Sequence, residues 1–190
     1  MRVSSCELPG VIIVEPQVFG DSRGFFLELW NRDRYGAADL PSIFVQDNLS
    51  RSAGGVLRGL HFQHPKGQGK LVTVLDGSVY DVALDVRVGS PSFGRWVGIV
   101  LSGDNKRQLY IPPGFAHGFC VTSESALFTY KTTEFYAPEA ERGIMWNDPD
   151  LAITWPVQHP TLSPKDTEYP RLRNIAPGTL PQYPGEGRAT

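Results

Sequence analysis

The amino-acid sequence predicts an all-β fold, an antiparallel barrel or sandwich with a few short helices. Three observations point there. Short runs rich in β-branched and aromatic residues recur at close, even spacing through residues 11–136. Glycine or proline interrupts every stretch of helical periodicity longer than about ten residues. Residues 156–190 hold seven of the 16 prolines, which excludes central strands there and predicts a tail wrapped over the surface.

In chain order, VIIV (11–14) is the first strand, and FFLELW (25–30) follows the turn-like GDSRG. RYGAADLPS (34–42) accommodates a helical turn, after which IFVQDN (43–48) returns to strand character. KLVTVL and SVYDVALDVRV, within 70–88, are joined by Asp76-Gly77, a dipeptide that predicts a hairpin. RWVGIVL (95–101), RQLYIPP (107–113), HGFCVTS (117–123) and ALFTYKTTEFY (126–136) continue the spacing, giving about 10–12 strands. The terminal PGTLPQYPGEGRAT has the composition of a disordered end. One domain over 1–190 is the expectation for this length.

A net charge of −2 gives no electrostatic case for nucleic acid or an anionic membrane as partner. Cys6 and Cys120 are too far apart for a metal knuckle, and two thiols in 190 residues fit a cytoplasmic protein. No apolar run reaches the roughly 20 residues of a membrane helix, and VIIV is too short for a signal-peptide core.

IPPGFAH (111–117) resembles the second motif of the cupin barrels, P-x-G-x-x-H, as Pro112, Gly114 and His117. The first cupin motif supplies two close histidines and then a glutamate six residues before a glycine. Here His61 and His64 are one residue too far apart, and Lys70 stands where the glutamate belongs. An ammonium beside a divalent ion replaces a ligand with repulsion. A jelly-roll barrel without metal or other cofactor is the expectation.

A histidine, a lysine and a tyrosine facing one cavity suit a different chemistry. Taking a proton from carbon next to a ketone is uphill by on the order of 16 kcal/mol for an imidazole base, about a dozen pK units. A fixed cation at the incipient enolate oxygen lowers that barrier. Neutral histidine is a fitting base near pH 7, and a phenol on the opposite face returns the proton with inversion.

VFGDSRGFF (18–26), FVQDN (44–48), VLRGLHFQ (56–63), QGKLV (68–72), DVALDVR (81–87), SPSFGRWVG (90–98), NKRQLYIPPGFAHGF (105–119), YKTTEFYAPE (130–139), RGIMWNDPDLAITWP (142–156) and LSPKD (162–166) occur in that order. Together they resemble the dTDP-4-dehydrorhamnose 3,5-epimerases, cupin-type enzymes, over nearly the whole chain to about residue 170. The resemblance implies a cofactor-free epimerase of a dTDP-4-keto-6-deoxyhexose. It implies His61 as base, Asp166 as its carboxylate partner, Lys70 at the C4 oxyanion, Tyr130 as acid and His117 as a substrate-binding group. Arg23, Glu28, Gln46, Asp47, Asn48, Arg58, Glu141 and Lys165 match positions that hold the nucleotide and sugar. A homodimer is implied as well, with some nucleotide contacts crossing between subunits.

The DVALDVR aspartates, Asp81 and Asp85, alternate with apolar residues and read as a polar barrel face. Alternation also places Arg58 and His61 on opposite faces of a strand, so a bulge or kink is expected at Gly59. One departure stands out: the family commonly carries two adjacent tyrosines where this chain has Phe135-Tyr136. Single-carbon epimerases are therefore one alternative, and a 3,4-ketoisomerase on a similar barrel is a separate one.

Overall fold

The computed structural model describes residues 1–185. In chain order the elements are β1 (Arg2–Ser5), β2 (Ile12–Glu15), β3 (Val18–Asp21), β4 (Gly24–Leu27), α1 (Arg32–Gly36), β5 (Gln46–Ala53), β6 (Leu57–Gln63) and β7 (Lys70–Asp76). They continue with β8 (Ser78–Asp85), β9 (Trp96–Ser102), β10 (Gln108–Ile111), β11 (Phe115–Val121), β12 (Ser125–Thr132), β13 (Glu141–Gly143) and α2 (Pro164–Glu168). A six-stranded sheet runs β1-β2-β10-β7-β12-β5, and a five-stranded sheet runs β13-β6-β11-β8-β9. Every pairing between these strands is antiparallel. β3 and β4 form a separate two-stranded ribbon. The 13 strands among the described residues exceed the expected range because β1, β3 and β13 are three or four residues long and lack an apolar alternation.

Packing explains why several strands are apolar on both faces. Val72, Val74, Val79, Ala83, Phe119 and Phe128 meet between the sheets. The outer face of the five-stranded sheet presents Leu60, Phe62, Val82 and Leu84, and the C-terminal segment covers it with Ile144, Leu151, Leu172 and Leu180. On the outer face of the six-stranded sheet, Val14, Leu71 and Tyr110 pack under Tyr35 and Leu40, from α1 and the turn after it. α1 is started by Asn31, whose side chain accepts from the Asp33 and Arg34 amides. The strand expected over 25–30 stops at Leu27 because the Leu29 carbonyl is taken by side chains, Tyr35 Oη and Gln108 Nε2, each at 2.8 Å.

Three expectations change. The Asp76-Gly77 turn does not make a hairpin: β7 and β8 belong to different sheets, and Gly77 is the corner between them. A Cβ at Gly77 (φ +75°) would lie 2.0 Å from the Ser125 carbonyl oxygen, so only glycine makes this crossing. Asp81 and Asp85 are fully buried rather than on a solvated face, because both faces of the five-stranded sheet are covered. The terminal segment is ordered through residue 185: Leu180 is buried, Gln182 bridges Val88, and the Arg87 guanidinium lies over the Tyr183 ring. The rest of that stretch, 186–190, lies outside the described residues.

Candidate active site

A cavity of about 790 Å³ opens between the two sheets. On the five-stranded side, β6 contributes Arg58 and His61 and β11 contributes His117, which pairs directly with His61. On the six-stranded side, β7 contributes Lys70, β12 Tyr130, and β5 Gln46 and Asn48. Cross-strand register fixes the second group: Tyr130 lies opposite both Val72 and Asn48, and Lys70 opposite Thr132, which faces Gln46. Directly paired residues share a face, so these side chains all point inward. The imidazole thus comes from one sheet, the ammonium and phenol from the other.

Arg58 and His61 share the cavity because β6 is irregular between them. His117 pairs with His61 but Phe119 pairs with Arg58, a one-residue slip. The slip falls at Gly59, whose φ is +126° and whose added Cβ would sit 2.5 Å from the Gly118 Cα. The expected irregularity is present, and neither strand admits a side chain at that crossing.

Asp166 reaches His61 from the Pro-rich tail. Thr161 bridges Val56, with Leu57 N–H donating to the Thr161 carbonyl at 3.0 Å. Ser163 then caps α2, its Oγ accepting from the Asp166 amide at 3.2 Å, with Pro164 at the first helical position. Asp166 Oδ1 lies 2.6 Å from His61 Nε2 and is 3% exposed. Burial raises this carboxyl, but hydrogen bonds from His61 and Ser163 outweigh it and hold the pKa below the ordinary value. The Tyr169 ring stands edge-on to the imidazole, centroids 5.6 Å apart, so the tail grips His61 on two sides.

Lys70 Nζ makes no hydrogen bond with the described residues and is not among their buried unpartnered atoms. It faces the cavity. Desolvation lowers its pKa to about 8, opposed by the charges of Asp81 and Glu141. Tyr130 Oη is likewise unbonded and open to the cavity. Burial raises its pKa and Glu141 adds to the rise, with Arg58 opposing. The phenol therefore keeps its proton at neutral pH.

At the rim, Glu141 accepts from Lys165 Nζ at 2.8 Å and from Tyr136 Oη at 2.9 Å. Burial raises the Glu141 carboxyl, but these bonds and the Lys165 charge bring it below its usual value. The structure does not bring Arg23, Glu28 or Asp47 to this cavity. Asp47 falls between Gln46 and Asn48 on β5, so alternation turns it to the opposite face, where it pairs with Lys131 Nζ at 2.9 Å. Glu28 pairs with Arg34 at 3.1 Å. Arg23 pairs with Asp21 on the exposed ribbon, with 88% of its side chain open to solvent.

Sequence reasoning passed over several lining residues: Ser50, Gln68, Phe119, Phe128 and Tyr136. It also passed over Asp81, whose carboxylate holds His117 Nε2 at 3.0 and 3.1 Å. Two aspartates four residues apart on one face of a strand, with apolar neighbours between them, were the available signal, and they fit a solvated face equally well. Phe135 does not line the cavity and is 61% exposed.

Residues 5–174 match the family model described as dTDP-4-dehydrorhamnose 3,5-epimerase. The chain belongs to this family. A dTDP-4-dehydrorhamnose 3,5-epimerase of Pseudomonas aeruginosa strain PAO1 is 58% identical over 170 residues, covering 88% of this chain and 94% of that protein. The crystal structure of a dTDP-6-deoxy-D-glucose-3,5-epimerase from Legionella pneumophila Philadelphia 1, in complex with dTDP-4-keto-L-rhamnose, superimposes with a TM-score of 0.93. It is 51% identical, covering 96% of this chain and 98% of that one. A dTDP-4-dehydrorhamnose 3-epimerase of Streptomyces niveus is 41% identical, over 96% of this chain and 90% of that protein. The family is an isomerase family acting on dTDP-sugars, and the jelly-roll fold of this epimerase family accounts for the paired sheets.

Proposed function

We propose that the protein inverts C3 and C5 of dTDP-4-dehydro-6-deoxy-D-glucose, giving dTDP-4-dehydro-L-rhamnose, without metal or organic cofactor. The observation that carries the reading is the opposition across one cavity of His61 with Asp166 on one sheet and Lys70 with Tyr130 on the other. His61 takes the proton from a carbon next to the C4 ketone. The C–H electron pair becomes the enolate double bond, and the carbonyl pair moves onto the C4 oxygen. Lys70 donates hydrogen bonds to that oxygen as its charge grows. Asp166 holds the imidazole tautomer and stabilises the imidazolium that forms. Tyr130 gives its proton to the same carbon from the opposite ring face, and proton return to the phenolate from His61 or solvent restores both groups for the second carbon. Gln46, Asn48, Arg58, His117, Glu141 and Lys165 hold the sugar and the pyrophosphate, for which a guanidinium fork is suited.

The reading includes a homodimer acting in the cytoplasm. Arg23 lies outside its own cavity on a ribbon that exposes Phe19, Phe25 and Phe26, and Glu28 follows directly after it. An apolar ribbon carrying a solvent-exposed guanidinium suits docking over a second subunit's nucleotide site. Epimerisation at C3 alone is the second reading, favoured by the similarity to the Streptomyces niveus 3-epimerase. The exposed position of Phe135 supports the double inversion, since its missing hydroxyl is away from the cavity.

Incubation with the dTDP-4-keto sugar in D₂O, followed by NMR, tests the proposal. Deuterium at both C3 and C5 is the expected result. Deuterium at one carbon makes the protein a mono-epimerase, and retention of both protons overturns the reaction.

A further inference from the structure

We propose that Asp81 is a positioning residue of this site, holding His117 as a neutral imidazole whose Nδ1 accepts a hydrogen bond from a hydroxyl of the sugar. The proposal rests on the epimerase reading and adds to it a device for orienting the ring.

Asp81, on β8, is fully buried, and both of its oxygens lie within 3.1 Å of His117 Nε2. A carboxylate only accepts, so Nε2 carries the hydrogen, and in a neutral ring Nδ1 is then bare. Nδ1 makes no hydrogen bond with the described residues and is not among their buried unpartnered atoms, so it opens on the cavity that His117 lines. Stacking on Phe128, with centroids 6.2 Å apart and planes 20° from parallel, holds the ring against rotation. The charged and titratable groups around His117 are Asp81 on β8, Lys70 on β7 and His61 on β6. Burial is the largest influence and disfavours the imidazolium; Lys70 and His61 add to it, and Asp81 only partly opposes them.

The cavity therefore offers two neighbouring groups of opposite hydrogen-bonding sense. Lys70 can only donate and His117 Nδ1 can only accept. A ketone can only accept, whereas a hydroxyl can donate. A sugar bound in register puts its C4 ketone on the ammonium and a hydroxyl on Nδ1. Shifted by one carbon, it would face a carbonyl lone pair toward a nitrogen lone pair, and a buried mismatch of that kind is unfavourable. Asp81, which need not touch the substrate, thus fixes which oxygen meets Lys70.

Long-range ¹H–¹⁵N correlation spectra of the whole protein test this directly. Four histidines are present, and the His117→Asn variant identifies the signal that disappears. The expected spectrum is a neutral Nε2–H ring, unchanged between pH 6 and 8. An Nδ1–H tautomer or an imidazolium at pH 7 overturns the proposal. In Asp81→Asn the amide N–H₂ competes as a donor to Nε2 and moves the ring hydrogen to Nδ1. KM should then rise roughly tenfold, the equivalent of 1.4 kcal/mol, with kcat within about threefold. An unchanged KM in a folded variant also overturns the proposal. If Asp81→Asn does not fold, the wild-type spectrum decides alone. Failure of the epimerase reading looks different: the wild-type enzyme would leave C3 and C5 unexchanged in D₂O whatever the tautomer, and the sugar-orienting half of the proposal would fall with it.

Discussion

Lys70 is placed at an energetic cost that the proposed chemistry explains. An ammonium held in the cavity without a protein hydrogen bond is destabilised by desolvation, which is why its pKa falls to about 8. Between that value and the unfolded lysine's 10.5, the unfolded chain binds more protons, so folding stability rises with pH across that interval. Below pH 8 the full penalty applies. Lys70→Met should therefore raise Tm at pH 7 by a few degrees while lowering kcat about 10²–10³-fold, the typical cost of one oxyanion donor. Calorimetry and steady-state kinetics on the same sample check both. A variant that loses activity and stability together would count against a functional reason for the buried charge. Asp166→Asn is a parallel case. It releases the His61 tautomer, and kcat should fall at least about a hundredfold with the fold intact by circular dichroism.

At the scale of elements, the site depends on two joints. Gly59 lets β6 slip by one residue against β11, which turns both Arg58 and His61 inward. Gly59→Ala would push a methyl into the Gly118 backbone and should destabilise the fold by about 2–4 kcal/mol, lowering Tm by roughly 5–15 °C. Thermal melts read this directly, and a shift under about 2 °C would show that the slip is not held by that contact. This joint was legible in the sequence, because period-two alternation could not deliver both residues to one face. The corner at Gly77 was not legible. Asp-Gly chemistry specifies a tight turn but not which sheet the next strand joins, since that is decided by β10, β11 and β12, far along the chain. Asp47 shows the converse error, in which three consecutive residues were assigned together where a strand turns the middle one away.

For the molecule as a whole, the Pro-rich tail is a cover and, in the proposed mechanism, also a source of catalytic groups. Its composition announced a wrapping segment, but composition does not show that Leu172 and Leu180 complete a second core or that Asp166 reaches His61. Leu172→Ala should cost about 2–4 kcal/mol. At temperatures where the variant is folded, kcat should be unchanged, because that residue supports the tail without entering the cavity. In the proposed homodimer the apolar ribbon docks on the second subunit. Phe25→Ser with Phe26→Ser should shift the protein to monomers by light scattering and raise KM for the nucleotide sugar roughly tenfold, as expected when central aromatic anchors are lost. A dimer unaffected by both changes would place the interface elsewhere. Buried charge was the least readable feature at this scale. A strand with two aspartates on one face looks solvated until what covers both faces of its sheet is known.

The most direct test of the account is the pH dependence of kcat/KM for the free enzyme. The reaction needs Lys70 protonated, so the rate should fall with an inflection near pH 8. Tyr130 lies above its ordinary range and keeps its proton there. Folding stability rises with pH in the same interval, so unfolding does not mimic the loss. An inflection near 8 that disappears in Lys70→Arg, where a cation persists, is the predicted result. A rate that holds level to pH 10 would mean that no ammonium of lowered pKa carries the charge on the substrate oxygen.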